Sequence, residues 1–268
     1  MTTTHTTLSE NHDHGVNHAV RGSSTPIPIL MYHNIADAPR DIKVYRSLYV
    51  SPRVFARQMW LLQRLGYTGL SMTAAAPYLR GERQGRVAVI TLDDGYVDNL
   101  QAAMPLLQRY GFSATCYVVS GQVGQYNGWD AQRLGVRKPL MTAAQLREWH
   151  AGGMEIGAHT RTHPRLTQCD EAQLRNEIHG SKAELEDLLA QPVTQFCYPY
   201  GDHDDRVVAS TREAGFAAAT TTHRGRAIPA TDPWRLPRIQ VARHHLLPQF
   251  AMKALSGYED RRQGGRQA

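Results

Sequence analysis

The sequence predicts an α/β fold in which seven or so parallel strands close into a barrel, on three observations. Short apolar runs alternate with longer amphipathic stretches from Ile27 onward, the pattern of a parallel sheet with crossover helices. The unit recurs too often within 268 residues for an open sheet to be the simpler solution, and its spacing is too irregular for a solenoid. The polar residues that directly follow the apolar runs are His33, Asp93, Asp94, His159 and the segment Tyr198 to Gly201. In a barrel these share the face where the carboxyl ends of the strands converge.

The expected strands, in order, are Ile27–His33, Arg86–Leu92, Ser113–Ser120, Met154–His159, Thr194–Tyr198, Phe216–Thr222 and Arg238–Val241. Helices are expected over Pro52–Leu65, Met72–Arg80, Asn99–Tyr110, Ala143–Ala151, Glu171–Ala190, Asp204–Ala214 and Leu246–Leu255. Ser51 and Thr142 stand where a capping hydroxyl belongs, and Pro52 falls where a first-turn proline is tolerated. Gly66, Gly111 and Gly215 stand just past helix ends. Residues 1–25, rich in Thr, Ser, Asn and His, read as a disordered arm whose His5, His12, His14 and His18 are simply solvated. The barrel domain is expected over 26–257, followed by a basic tail over 258–268.

Composition narrows the class. Hydrophobic residues make up 41% and aromatics 8%, enough for a sizeable core. No run approaches the roughly 18 consecutive apolar residues of a membrane span. The first residues lack a basic start and an apolar stretch, so no export signal is read and a cytoplasmic location is expected. Cys116, Cys169 and Cys197, odd in number and far apart, fit free thiols in a reducing compartment. The formal charge of +6 is diffuse, with no concentrated basic stripe and no nucleic-acid motif, so no nucleic-acid partner is expected. The sequence carries no signal for an oligomeric state.

The chemistry-bearing residues each have a plain reading beside a functional one. Asp93-Asp94-Gly95 alone reads as a strand-to-helix turn with a capping carboxylate. Two adjacent carboxylates at a strand end repel, however, and a cation on one would relieve the cost and leave the other as a base. His159 and His163 are four apart, but β-branched Thr160 and Thr162 and the following Pro164 disfavour a helix. A compact loop turning both imidazoles to one point is expected. Two His nitrogens and one carboxylate oxygen make a zinc-type ligand set with a position left open for water, and cobalt, nickel or ferrous iron also suit these donors. His33 reads either as a packed structural histidine or as a proton donor to a leaving amine. The turn at Pro199 to Gly201 is either an ordinary strand–helix connection or a cradle of backbone N–H groups for an oxyanion. Cys197 reads as a core residue rather than a nucleophile.

These motifs resemble those of the polysaccharide deacetylases, the NodB-homology group that forms carbohydrate esterase family four. Thr91-Leu92-Asp93-Asp94-Gly95 resembles the first motif of that family, His159-Thr160-Arg161-Thr162-His163 the second, and Phe196-Cys197-Tyr198-Pro199-Tyr200-Gly201 the third. The resemblance runs from about Pro28 to Val241. It implies a distorted (β/α)7-type, TIM-like barrel with one divalent metal, zinc foremost, that removes acetyl groups from an N-acetylated sugar or polysaccharide. By position it implies Asp93 as general base, Asp94, His159 and His163 as metal ligands, and the backbone N–H of Tyr200 as an oxyanion donor. Two departures accompany it. The third motif has Tyr198 where many members have an arginine steadying the catalytic aspartate, and the usual late Leu-x-His motif is absent. The early Met31-Tyr32-His33 is similar to the poly-N-acetylglucosamine deacetylase branch, in which such a histidine is the general acid. Arg238, at the start of the last strand, is nominated for the missing arginine. The alternatives are an amidase or esterase of the same fold acting on a small molecule, and a non-catalytic carbohydrate-binding protein.

Overall fold

The computed structural model describes residues 1–2, 25–40, 42 and 44–262. The histidines of the N-terminal arm and Arg266 of the tail lie outside the described residues. Eight parallel strands form one sheet: β1 (Ile29–Tyr32), β2 (Thr68–Leu70), β3 (Val87–Leu92), β4 (Thr115–Val118), β5 (Glu155–Ala158), β6 (Gln195–Cys197), β7 (Ala218–Arg224) and β8 (Leu236–Gln240). Because β1 pairs with both β3 and β8, seven of them close into a ring. The predicted seven-stranded barrel is therefore present.

The eighth strand, β2, is a correction. It pairs with the lower half of β3 (Thr68 opposite Val87, Leu70 opposite Val89), while β4 takes the upper half of the same edge (Thr91 opposite Thr115). Three residues with a glycine at the centre carry no readable alternation. The glycine has its own cause, since a Cβ on Gly69 would sit 2.6 Å from the Phe112 ring. The ring is irregular elsewhere too: β5 and β6 share one residue pair, and the β7–β8 register shifts between Thr220 and Arg224.

Side chains alternate between two cores, as the period of a strand requires. Leu30, Tyr32, Ala88, Ile90 and Leu92 face the helices and join the larger apolar cluster. Ile29, Val87, Val89, Tyr117, Cys197 and Leu236 belong to a second cluster, which fills the barrel. Continuing the inward rows by two-residue steps leads from Ile29 to His33, from Val89 to Thr91 and Asp93, and from Leu236 to Arg238. The same alternation that packs the barrel thus delivers polar groups to its mouth.

The helices are α1 (Pro52–Arg64), α2 (Met72–Leu79), α3 (Met104–Arg109), α4 (Gly128–Leu134), α5 (Ala143–Ala151), α6 (Glu171–Leu189), α7 (Asp205–Glu213) and α8 (Leu247–Leu255). Ser51 caps α1 by accepting from the N–H of Val54, and Thr142 with Gln145 forms a reciprocal capping box on α5. The helix expected over Asn99–Tyr110 begins instead as a π turn, Asn99–Ala103, before α3. Pro105 withholds an N–H from the regular ladder there, and the buried Asn99 amide donates to the carbonyl of His33 (2.8 Å). Helix α4 was not expected; it lies in the long excursion between β4 and α5. Among the described residues no helix is long and apolar enough to cross a membrane.

The packed chain also extends past residue 257. Glu259, 1% exposed, lies 2.5 Å from Arg224 and 3.2 Å from Lys253, and Asp260 pairs with Arg226 at 2.6 Å. These ion pairs hold residues expected in a solvated tail.

Behind them, buried His245 accepts the N–H of Ala242 on Nδ1 (2.9 Å), a role open only to the neutral ring. Burial, aided by Lys253 and His244 and opposed by Glu259, lowers its pKa to about 4. The unfolded chain, with a histidine near pH 6.5, then binds the proton better than the folded one, so stability is lost as pH falls from about 6.5 toward 4. Urea denaturation at pH 7 and pH 4.5 should show a larger loss for the wild type than for His245→Asn.

Candidate active site

Asp93 continues the inward row of β3 and is 3% exposed. Both of its oxygens meet the guanidinium of Arg238, Nη1 to Oδ1 at 2.7 Å and Nη2 to Oδ2 at 2.8 Å. Arg238 is itself fixed on every side. Its Nε donates to the carbonyl of Thr221 (2.8 Å), Nη1 to the hydroxyl of Thr91 (3.1 Å) and Nη2 to the sulfur of Cys197 (3.2 Å). The nominated arginine therefore does reach Asp93, from β8 instead of from the third motif. In that motif Tyr198 packs outward among the apolar residues and donates to the carbonyl of Trp234 (3.0 Å).

This pair sets the charges around it. Burial alone would raise the pKa of Asp93, but Arg238 and then His33 outweigh it and hold the carboxyl at about 2. Burial would likewise neutralise Arg238, yet Asp93 keeps its guanidinium charged. His33 follows β1, with Nε2 3.9 Å from Asp93 Oδ2. Burial lowers its pKa to about 4 against the pull of Asp93, so the resting imidazole is neutral at pH 7.

Asp94 adopts φ 80° and Gly95 φ 81°, two left-handed residues in succession. The turn sends Asp94 away from Asp93 and toward the second motif. There Asp94 Oδ1 lies 3.6 Å from Nε2 of His159 and 3.6 Å from Nε2 of His163. Burial, reinforced by Asp93, raises Asp94 to about 7, while His159 and the hydroxyl of Tyr96 act in the opposite direction. The segment after β5 is a loop, as expected, with Thr160 at φ 66° and His163 at φ 65°. Strained left-handed residues gather at the site: Tyr45, Asp94, Thr160, His163 and Tyr200 account for five of the six non-glycine cases among the described residues.

Whether these residues suit a metal can be judged from the donors. Ligand atoms of Asp94, His159 and His163 all lie within 4.8 Å of one another, and all three side chains are buried. His159 Nδ1 lies 2.7 Å from the carbonyl of Cys197, which places a proton on that nitrogen and turns Nε2 toward Asp94. Burial keeps His163 neutral by lowering its pKa. Two imidazoles and one carboxylate buried together, with His159 oriented from behind by the Cys197 carbonyl, fit a divalent cation. A second cluster, Asp93 with His159 and Cys197, meets the same distance limit but is already filled by the Arg238 guanidinium.

The cluster opens into a cleft of about 510 Å³. Its lining includes Tyr200, Asp130, His33, Arg238, Arg224 and Lys253. Tyr200 has φ 59° within the Pro199–Gly201 turn, and its ring lies 4.6 Å edge-on to His163. The other face of His163 is stacked on Trp129 at 4.7 Å. Trp129 and Asp130, both on α4, were missed in the sequence because a seven-residue helix inside a loop has no readable period.

All seven candidate residues therefore belong to one cleft. The sequence model of the polysaccharide deacetylase family matches residues 80–219, just over half of the chain. The chain belongs to the polysaccharide deacetylase family. It is thereby a hydrolase of carbon–nitrogen bonds other than peptide bonds. Among relatives of this deacetylase, the Bacillus subtilis protein YxkH, whose name places it with the polysaccharide deacetylases, is 28% identical over 218 residues, 81% of this chain and 71% of that one. The poly-beta-1,6-N-acetyl-D-glucosamine N-deacetylase of Staphylococcus aureus is 22% identical over 183 residues, 64% of this chain and 61% of that one. The structure of the Streptococcus pyogenes deacetylase PplD in complex with acetate matches with a TM-score of 0.76 and 26% identity, covering 87% of this chain and 99% of that one. His33 and Arg238 lie outside the span matched by the family model, at the two ends of the barrel.

Replacing Arg238 with Met leaves Asp93 buried without its counter-charge. Urea denaturation at neutral pH should show a loss of about 3–5 kcal/mol, the cost of breaking one partner out of a buried pair.

Proposed function

We propose that this deacetylase removes N-acetyl groups from an N-acetylated sugar or polysaccharide with a divalent cation, zinc foremost, held by Asp94, His159 and His163. The observation that carries the reading is the convergence of two differently charged carboxylates. Asp93 is clamped and ionised beside a neutral histidine, and Asp94 faces Nε2 of both imidazoles of the second motif at 3.6 Å. A cation bound there supplies Lewis-acid polarisation of the acetyl carbonyl and acidifies water at the site.

The protein groups do the remaining work. Asp93 is held ionised by Arg238 across the working pH range, so it can accept the proton of the attacking water. Arg238 fixes both oxygens, so the carboxylate cannot rotate away from its partner His33. His33 starts neutral 3.9 Å from Asp93, takes over the proton that Asp93 drew from the attacking water, and so restores the carboxylate. The imidazolium then protonates the departing amine. The backbone N–H of Tyr200 is assigned to the developing oxyanion, because its left-handed turn lies beside His163 at the rim of the same cleft. A non-catalytic carbohydrate-binding role would not require a base, an arginine clamp and a ligand set to meet at one point.

Asp93→Asn should retain the bound cation and lose on the order of 100-fold or more in turnover, the weight of general-base assistance. The measurement is acetate release from a panel of N-acetylated sugars after loading with zinc, cobalt or nickel, with cation content checked in parallel. Near-wild-type acetate release by the variant would remove Asp93 from the role, and release from small amides alone would redirect the substrate class.

A further inference from the structure

The two histidine ligands are separated by Thr160, Arg161 and Thr162, which lie in no helix or strand. Helix α6 supplies what holds them. Glu177, 7% exposed, accepts the backbone N–H of Arg161 (2.8 Å) and of Thr162 (2.9 Å) on one oxygen, and the Thr162 hydroxyl (2.6 Å) on the other. Two turns further along, Glu184 accepts from Arg161 Nε (2.7 Å) and from the hydroxyl of Ser120 (2.5 Å). Arg161 also donates to Asn176 (2.7 Å), and its aliphatic stem lies on Gly180, where a Cβ would stand 2.7 Å from Arg161 Cδ. Asn176, Glu177, Gly180 and Glu184 form one face of α6, and that face is spent on the middle of the loop.

We infer that Glu177 is a positioning residue for the cation ligands, acting through the backbone between them. The loop that leads from one histidine to the other passes through left-handed conformations at Thr160 and His163. Those conformations are disfavoured in a free loop, and the carboxylate of Glu177 fixes the two peptide N–H groups that lie between them. A carboxylate accepts two N–H groups and a hydroxyl at once because it has two oxygens and no proton of its own. The inference rests on the proposed cation site.

The test is zinc affinity of the full-length protein, measured by competition with a chromogenic chelator, with folding checked by circular dichroism and urea denaturation. Glu177→Ala should bind zinc roughly 10- to 100-fold more weakly while folded, the range known for residues that orient ligands from behind. Glu177→Gln, which keeps one acceptor oxygen, should lose less. A folded Glu177→Ala with wild-type zinc affinity overturns the inference. If that variant does not fold, Thr162→Val decides, because it removes only the hydroxyl bond: weaker zinc binding supports the positioning role, and unchanged binding overturns it. A wild-type protein that binds no zinc overturns the cation site and this inference together. Wild-type and variant proteins that bind equally tightly overturn this inference alone.

Discussion

The bidentate contact between Arg238 and Asp93 is the interaction on which the site depends. It joins the last strand to the third across the inside of the barrel, and it is buried at both ends. A lone carboxylate at that depth would take up a proton, and a lone guanidinium would be driven back to solvent. Together they leave one ionised carboxylate at the mouth, beside a histidine that burial keeps neutral against its pull. The three further hydrogen bonds of Arg238, to Thr91, Cys197 and the Thr221 carbonyl, come from three different strands. One side chain thus ties β3, β6, β7 and β8 to the same charge.

The two aspartates are adjacent in sequence, and the fold makes them opposites. One peptide step with φ 80° turns Asp94 to a different set of neighbours from those of Asp93. Asp93 meets a fixed cation of the protein, whereas Asp94 meets the imidazoles of His159 and His163. The contrast follows from where each side chain points after the strand ends, since the residue type is identical. A cation at Asp94 would complete a pattern the protein has already satisfied at Asp93.

Much of this was legible in the sequence because it follows from period and position. The strand rows could be read from alternation, so the residues one or two steps past each run were correctly placed on one face. Arg238 was nominated from the family resemblance, which implies an arginine that the third motif lacks and that the last strand begins with. Other features were hidden for physical reasons. Strand β2 is three residues built around a glycine, so it has no alternation to show. The π turn at Asn99 answers to a proline six residues further on and to the carbonyl of His33, just past β1. Asp130 lines the cleft and Trp129 stacks on His163, both from a helix of two turns inside a long loop. Glu177 looked like any charged residue of an amphipathic helix; only the folded loop behind it reveals that its acceptors are used.

The seam of the ring is narrow, with Leu30 opposite Ile239 and Met31 opposite Gln240 as its recorded pairs. His33 comes from one side of that seam and Arg238 from the other, more than two hundred residues apart along the chain. Contacts of such long range form late, because the entropy of bringing distant segments together must be met before they are rewarded. A partly folded chain with the strands between them in place would already present both imidazoles and Asp94, but without the arginine clamp or the neighbouring histidine. The clamp and the histidine therefore meet only where the first and last strands pair, so the cleft is complete only in the closed cylinder.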